Sequence, residues 1–261
     1  MKVVLKNVYK NYEEKRGIKT SSKNGVISDE RSVLDNLSFS IKTGHLTSFL
    51  GPSGCGKSTL LRIIAGFERP SSGKVTIDGD LVKGPSSRHI FVFQEDGLFP
   101  WFTARENVAI GAKHIKSRGE RRHQVEEYLD LVGLSGFEGH YPHELSGGMR
   151  RRAEVARALI TNPDILFMDE PFSALDFVTR IQMREEMLNV HAMFPTTILF
   201  ITHDIDEAIQ LGDQIIMLSE RPARIKADIL LPYPHPRDIT KGKLAALRKD
   251  IYFQMGLHAA L

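Results

Sequence analysis

Residues 51–58 read GPSGCGKS, and no other segment restricts so sharply what this chain can become. Glycines at 51, 54 and 56 let a backbone wrap a phosphate chain with successive N–H groups pointing inward; Lys57 then reaches the β- and γ-phosphates and Ser58 binds Mg²⁺. Such a loop works between a strand and a helix. Residues 46–50 (LTSFL) supply a short apolar strand before it, and residues 58–65 (STLLRIIA) a helix behind it. The expected fold class is therefore α/β, a P-loop nucleotide hydrolase core on a mainly parallel sheet. Gly51, Pro52, Ser53, Gly54, Cys55, Gly56, Lys57 and Ser58 are candidate nucleotide contacts, and Thr59 adds one to the α-phosphate. Cys55 is the single cysteine, which excludes an internal disulfide and a paired-cysteine metal site. A helix N-terminus can lower a thiol's pKa, yet a small filler without chemical duty is the simpler reading of Cys55.

Two more apolar runs, residues 165–168 and 197–201, read as buried parallel strands because both of their faces are apolar. Each leads into polar residues: Asp169 and Glu170 after the first, His203 after the second. Ligands of open parallel sheets sit beyond the carboxyl ends of the strands, so these ends should converge on the phosphate loop. Asp169 is placed to hold Mg²⁺, and Glu170 to orient or deprotonate an attacking water. A second carboxylate there favours hydrolysis over phosphoryl transfer to a small molecule. His203 is expected to contact the γ-phosphate from the neighbouring strand end.

Around this core, residues 3–8, 33–41 and 74–77 read as strands of an antiparallel patch, whereas residues from about 105 to 160 read as helices, clearest at 124–132 and 147–160. In the last, Met149, Ala153, Ala156 and Ile160 share one face, and Arg150 and Glu154 are expected to pair on the other. The chain thus divides into a core (1–94 and 161–218), a helical insert (95–160) and a short extension (219–261), together one nucleotide-binding domain. Residues 13–31, polar and rich in Ser, Lys and Gly, read as a mobile loop without an assigned role. No apolar run approaches the roughly 18 residues of a membrane helix, and the first residues lack a signal peptide's apolar core. The chain is expected in the cytosol unless a partner holds it elsewhere. Its formal charge of +3 is small, and the basic residues 118–122 and 150–152 read as solvated helix faces rather than as a nucleic-acid stripe.

Residues 145–149 (LSGGM) pose a different question. Ser146, Gly147 and Gly148 open a helix and offer N–H groups suited to an anion, yet the helical insert should hold them away from residues 51–58. They are either a simple turn and N-cap or a loop that closes over the nucleotide of a second copy. GPSGCGKST, Phe93-Gln94, LSGGM, ILFMDEP, Ser173-Ala174-Leu175-Asp176 and Thr202-His203-Asp204 follow one another in the order that the chain shares with ATP-binding cassette (ABC) ATPases, which it resembles from about residue 3 to 218. The resemblance implies ATP and Mg²⁺ as ligands and two copies packed head-to-tail, each ATP bound by one copy's phosphate loop and the other's LSGGM. It also implies that Tyr12, or less directly Tyr9, stacks on adenine, that Gln94 senses Mg²⁺ and the attacking water, and that Asp176 lets each subunit feel the other's site.

Residues 95–101 (EDGLFPW) lie where importer ATPases of the family receive a coupling helix from a membrane permease, although Phe99 and Trp101 can equally be core. Residues 218–225 and 231–238 resemble the nitrate, sulfonate and taurine importer group, whose permeases work with an extracytoplasmic solute-binding protein; pyrimidine-precursor and riboflavin importers share similar tails. The implied location is peripheral, at the cytoplasmic face of the cell membrane. Three residues depart from the commoner pattern: Met149 and Arg151 stand in place of glutamines, and Glu154 in place of a small apolar residue. A soluble ABC ATPase acting on nucleic acid or ribosomes is the competing expectation, and a phosphotransferring kinase a weaker one that leaves LSGGM unexplained.

Overall fold

Period-two apolar patterning over residues 3–8 and 33–41 founds two long strands, and the parallel runs that follow produce a second sheet behind them. A computed structural model describes residues 2–13, 30–94, 97–173, 175–193 and 196–257. Strands β1 (Lys2–Glu13), β2 (Glu30–Lys42), β4 (Ser72–Ile77) and β5 (Asp80–Leu81) form an antiparallel sheet in the order β2-β1-β4-β5. The larger sheet has the order β10-β9-β3-β8-β7-β6, from β3 (Leu46–Leu50), β6 (His89–Val92), β7 (Ile165–Asp169), β8 (Thr197–Thr202), β9 (Gln214–Leu218) and β10 (Ile225–Leu230). All its pairings are parallel except that of β9 with β10. The strands β1 and β2 outrun their expected limits, pairing as far as Tyr12 with Arg31 and Glu13 with Glu30. The ends of the expected 13–31 loop are therefore strand, and its residues 14–29 lie outside the described residues.

The double-sided apolar pattern of the parallel strands divides the core by alternation. Phe167 faces a cluster with Leu5, Val8, Leu34, Leu37, Phe49, Leu60 and Ile64 that glues the antiparallel sheet and helix α1 (Lys57–Ala65) to the parallel one. Leu166 and Met168 face the opposite way, toward Phe172, Met183, Met187 and Val190, where helix α5 (Phe177–Met193) packs. Each methylene buried this way contributes about 0.8 kcal/mol, so both faces anchor the strands against slippage. Helices α2 (Ala104–Gly111), α3 (Arg118–Leu131) and α4 (Gly147–Leu159) enclose an apolar cluster of their own. Their starts are set by Thr103 in a capping box with Glu106, by Ser117 and by Ser146. Ala153, Ala156 and Ile160 sit in that cluster with Met149 against it, as their spacing predicts. Helix α6 (Ile205–Leu211) and helix α7 (Gly242–Gln254) close the β9–β10 end over a fourth cluster.

Two sequence expectations fail because arginine side chains are long enough to turn back. Arg151 is buried, Arg152 donates to the carbonyls of Val132 and Gly133, and Arg150 donates to that of Leu145. The basic run 150–152 is therefore a set of internal clamps, not a solvated face. Glu154 is buried as well and pairs with Arg151 at 2.8 Å, so it turns inward and away from the half-exposed Arg150 it was expected to pair with.

The chain after β9 is held by one cation. Arg237, buried, donates to the carbonyls of Ile209, Gly212, Leu231 and Tyr233 and contacts Asp213 at 3.3 Å. Arg237→Ala would leave those carbonyls without their shared donor and take one cation from Asp213, which keeps the Leu46 N–H and His235. The expected loss is about 3–5 kcal/mol of unfolding free energy, read by chemical denaturation of the nucleotide-free protein.

Candidate functional site

Parallel pairing brings the expected strand ends together. Leu50 stands opposite Thr202, and Asp169 opposite Ile201, so the residues following β3, β7 and β8 emerge along one edge. The phosphate loop turns there into α1. Gly54 and Gly56 have φ of 74° and 119°, in the left-handed region, and a Cβ on Gly56 would come within 2.8 Å of Val33 Cγ1. Glycine alone meets both demands at position 56. Lys57 lies buried along the loop and donates from Nζ to the carbonyls of Gly51 (2.7 Å) and Pro52 (2.9 Å), which fixes the loop's curvature.

A cleft of about 410 Å³ gathers Tyr12, Val33, Ser53, Gly54, Gly56, Lys57, Ser58, Thr59, Gln94, Glu170 and Arg221. Nine of the candidates thus share one cavity, and Asp169 and His203 lie beside it against Ser58 and Glu170. Val33 and Arg221 were not singled out from the sequence; they come from distant segments, and only the fold brings them to the loop. Arg221 is anchored by its Nε donating to the Ser32 carbonyl at 3.0 Å. Tyr12 is partly exposed at the rim, with Lys10 Nζ 4.7 Å from its ring centre and its hydroxyl donating to Glu68. Burial, followed by that carboxylate, pushes the Tyr12 phenol up. Tyr9 is paired with Ser72 inside the antiparallel sheet and does not line the cleft.

The acidic residues divide the work geometrically. Ser58 Oγ donates to Asp169 Oδ1 at 3.2 Å, which sets two hard oxygen donors side by side. That pair suits Mg²⁺, which takes one or two protein oxygens and completes its octahedron with phosphate and water. Burial pushes the Asp169 carboxyl up and the Glu170 charge adds to this, while the Ser58 hydrogen bond opposes. Glu170 has φ 48°, a conformation that costs a non-glycine residue about 1–3 kcal/mol. In that conformation Oε2 accepts from Gln94 Nε2 at 3.4 Å, and Oε1 lies 3.7 Å from Nδ1 of the exposed His203. Gln94, Glu170 and His203 therefore surround one point from three strand ends.

Cys55 does not follow the reactive reading. Its side chain is buried away from the cleft, and desolvation pushes the thiol up despite the nearby Lys57 charge. It is a filler whose backbone N–H donates to the Pro52 carbonyl at 3.3 Å.

Ser146, Gly147 and Gly148 are not among the cleft residues. Ser146 caps α4, its Oγ accepting from the Met149 N–H at 3.2 Å. A Cβ on Gly148 would come within 2.8 Å of Thr179 Cγ2, so the start of α4 packs closely on the start of α5. Asp176 also lies outside the cleft; its Oδ1 accepts from the N–H groups of Val178 and Thr179, both at 3.1 Å, and the Thr179 hydroxyl, followed by these N–H groups, holds its carboxyl below the usual range. Among the described residues, no helix is long and apolar enough to cross a membrane.

A phosphate loop, a Mg²⁺-suited serine–aspartate pair and a glutamate grouped with Gln94 and His203 define a nucleotide hydrolase of the P-loop class. Comparison with known proteins gives the family. A family model described as ABC transporter matches residues 34–173. The aliphatic sulfonates import ATP-binding protein SsuB of Bacillus cereus is 43% identical over 226 residues, covering 85% of this chain and 88% of that protein. The taurine import ATP-binding protein TauB of Rhizobium johnstonii is 50% identical over 195 residues, 74% of each chain. Among solved structures, a dimeric ATP-binding cassette in a post-hydrolysis state, bound to ADP and Pi, superposes with a TM-score of 0.72 at 33% identity, covering 89% of this chain and all of that one. The chain belongs to the ABC transporter family and is one of its ATPases, with ATP and Mg²⁺ as ligands.

The raised Asp169 pKa carries a stability consequence. The folded state binds this proton more tightly than the unfolded state, so the ionised carboxylate costs stability once pH exceeds the unfolded carboxyl range. Asp169→Asn is expected to raise the melting temperature of the metal-free protein by a few degrees at pH 7. The gain should disappear on acidification through the unfolded carboxyl pKa, as read by thermal denaturation at a series of pH values.

Proposed function

We propose that this chain is the ATP-hydrolysing subunit of an ABC importer, which dimerises on ATP and drives uptake of a small solute through a membrane permease. The observation that carries this reading is the division of the site. One cleft gathers the groups for phosphate, Mg²⁺ and water, while Ser146, Gly147 and Gly148 open α4 outside it. A second copy set head-to-tail brings those N–H groups to the open side of the first copy's nucleotide. Helix N-termini favour anions, so the γ-phosphate is the natural ligand of the LSGGM end.

Within one site, the loop N–H groups and Lys57 hold the phosphate chain, Ser58 and Asp169 hold Mg²⁺, and Tyr12 stacks on adenine. The metal neutralises charge on the β- and γ-phosphates. Glu170 orients the attacking water and takes its proton, Gln94 holds the same water from β6, and His203 contacts the γ-phosphate. Asp176 stiffens the corner that faces the partner.

The three-part division into core, helical insert and extension is the working anatomy of this reading. Exposure supports a permease contact beyond Gln94. Trp101 keeps 66% of its surface exposed and Phe93 46%, and a groove of about 260 Å³ runs past Phe91, Phe93, Gly97 and Ile110. Such an apolar, ring-lined groove takes an amphipathic helix, here the coupling helix of the permease. The chain would thus lie peripherally at the cytoplasmic face of the membrane, serving indirectly an extracytoplasmic solute-binding protein. Relatives named for aliphatic sulfonates and taurine make a small sulfonate, or a comparable anion such as nitrate, the proposed solute class.

Glu170→Gln is expected to abolish turnover yet accumulate an ATP-bound dimer on size-exclusion chromatography; a variant that stayed monomeric with ATP and Mg²⁺ would count against the shared site. Lys57→Ala should lose at least a hundredfold in ATPase rate. From membranes, the native chain should co-purify with a multi-span hydrophobic subunit, and recovery with RNA or DNA alone would favour a soluble, nucleic-acid-directed ATPase instead.

A further inference from the structure

The buried pair Arg151–Glu154 lies outside the cleft but touches the backbone of two segments that form it. The Arg151 guanidinium donates to the Phe93 carbonyl at 2.5 Å, immediately before Gln94. It donates to the Pro171 carbonyl at 3.1 Å and reaches the Asp169 carbonyl at 3.4 Å, which brackets Glu170 from both sides. Glu154 Oε2 accepts from the same guanidinium at 2.8 Å, while its Oε1 accepts from the backbone N–H of Gly97. Both side chains are more than nine-tenths buried.

One ion pair on α4 therefore pins both sides of the segment that carries Gln94, at Phe93 and at Gly97, and both sides of Glu170. A planar guanidinium fixes several carbonyls at once, and burial makes each charge-assisted bond directional and strong. An apolar pair at these positions would fill the space but leave those carbonyls without their donor. We propose that Arg151 and Glu154 act as a positioning pair, setting the separation of Gln94 from Glu170 and tying it to α4, the helix whose first turn is LSGGM. The proposal rests on the reading of Gln94 and Glu170 as the water-handling residues. The pair touches no phosphate group, so its effect falls on the hydrolytic step rather than on nucleotide affinity.

The test compares Glu154→Gln, Arg151→Lys, the double variant and Glu170→Gln, each checked for folding by thermal melting and assayed for steady-state ATPase activity. Glu154→Gln keeps the volume but removes the charge, and Arg151→Lys keeps the charge but removes the fork. Each is expected to lower kcat about ten- to a hundredfold with KM for ATP within about twofold, as sub-ångström misplacement of a reacting group does. The double variant should be no slower than the slower single one, because both remove the same geometry.

Unchanged kcat in either single variant, a parallel loss of kcat and ATP affinity, or effects that multiply in the double variant would overturn the pair's role. If Glu154→Gln does not fold, Arg151→Lys decides alone by the same split of kcat from KM. Glu170→Gln separates the two levels of inference. Wild-type hydrolysis by that variant would remove the reading of Glu170 and the positioning pair with it. Its inactivity beside fully active Glu154→Gln and Arg151→Lys would leave that reading standing and the pair without function.

Discussion

Parallel pairing of β3, β8 and β7 is the constraint on which the site depends. Parallel strands end on the same edge, and a register in which Leu50 meets Thr202 and Asp169 meets Ile201 leaves the phosphate loop, the acidic pair and the histidine in one row. A slip by one residue would turn Phe167 from the cluster shared with α1 toward α5, and Leu166 and Met168 the other way. The apolar residues that prevent the slip touch no nucleotide. They nonetheless fix where each polar residue emerges.

Function here sits on elements that are costly in isolation. Asp169 is a buried carboxylate whose pKa desolvation raises, and Glu170 occupies a backbone conformation that favours glycine. Costs of a few kcal/mol are tolerable because strands on both sides hold the corner, and because ligands that bind only the folded state stabilise it. The same corner is braced from behind by a guanidinium that occupies the carbonyls flanking Glu170. Strain, burial and bracing are three views of one turn.

The legible part of the sequence was the part written in local pattern. Glycine spacing announced the phosphate loop, and uninterrupted apolar runs announced β7 and β8, so their polar successors could be named from position alone. The ends of β1 and β2 were not legible, since polar residues at 9–13 and 30–32 pair across the sheet without an apolar rhythm. Strands β6 and β10 carry as little local signal, since β10 is an edge strand with no fully buried face and β6 is only four residues long. Arg151 and Glu154 misled a helical-wheel argument because a wheel assigns charge to solvent, whereas several segments converge here on the charged face of α4. Arg221 gave no local signal, its relation to the loop being set entirely by long-range packing.

The close contact between Gly148 and Thr179 has a mechanical consequence. A β-carbon at position 148 would press on Thr179, so glycine is what lets the start of α4 lie this close to the helix that follows the Asp176 corner. A larger residue there could be accommodated only by parting α4 from α5, which would widen the gap between the LSGGM turn and that corner.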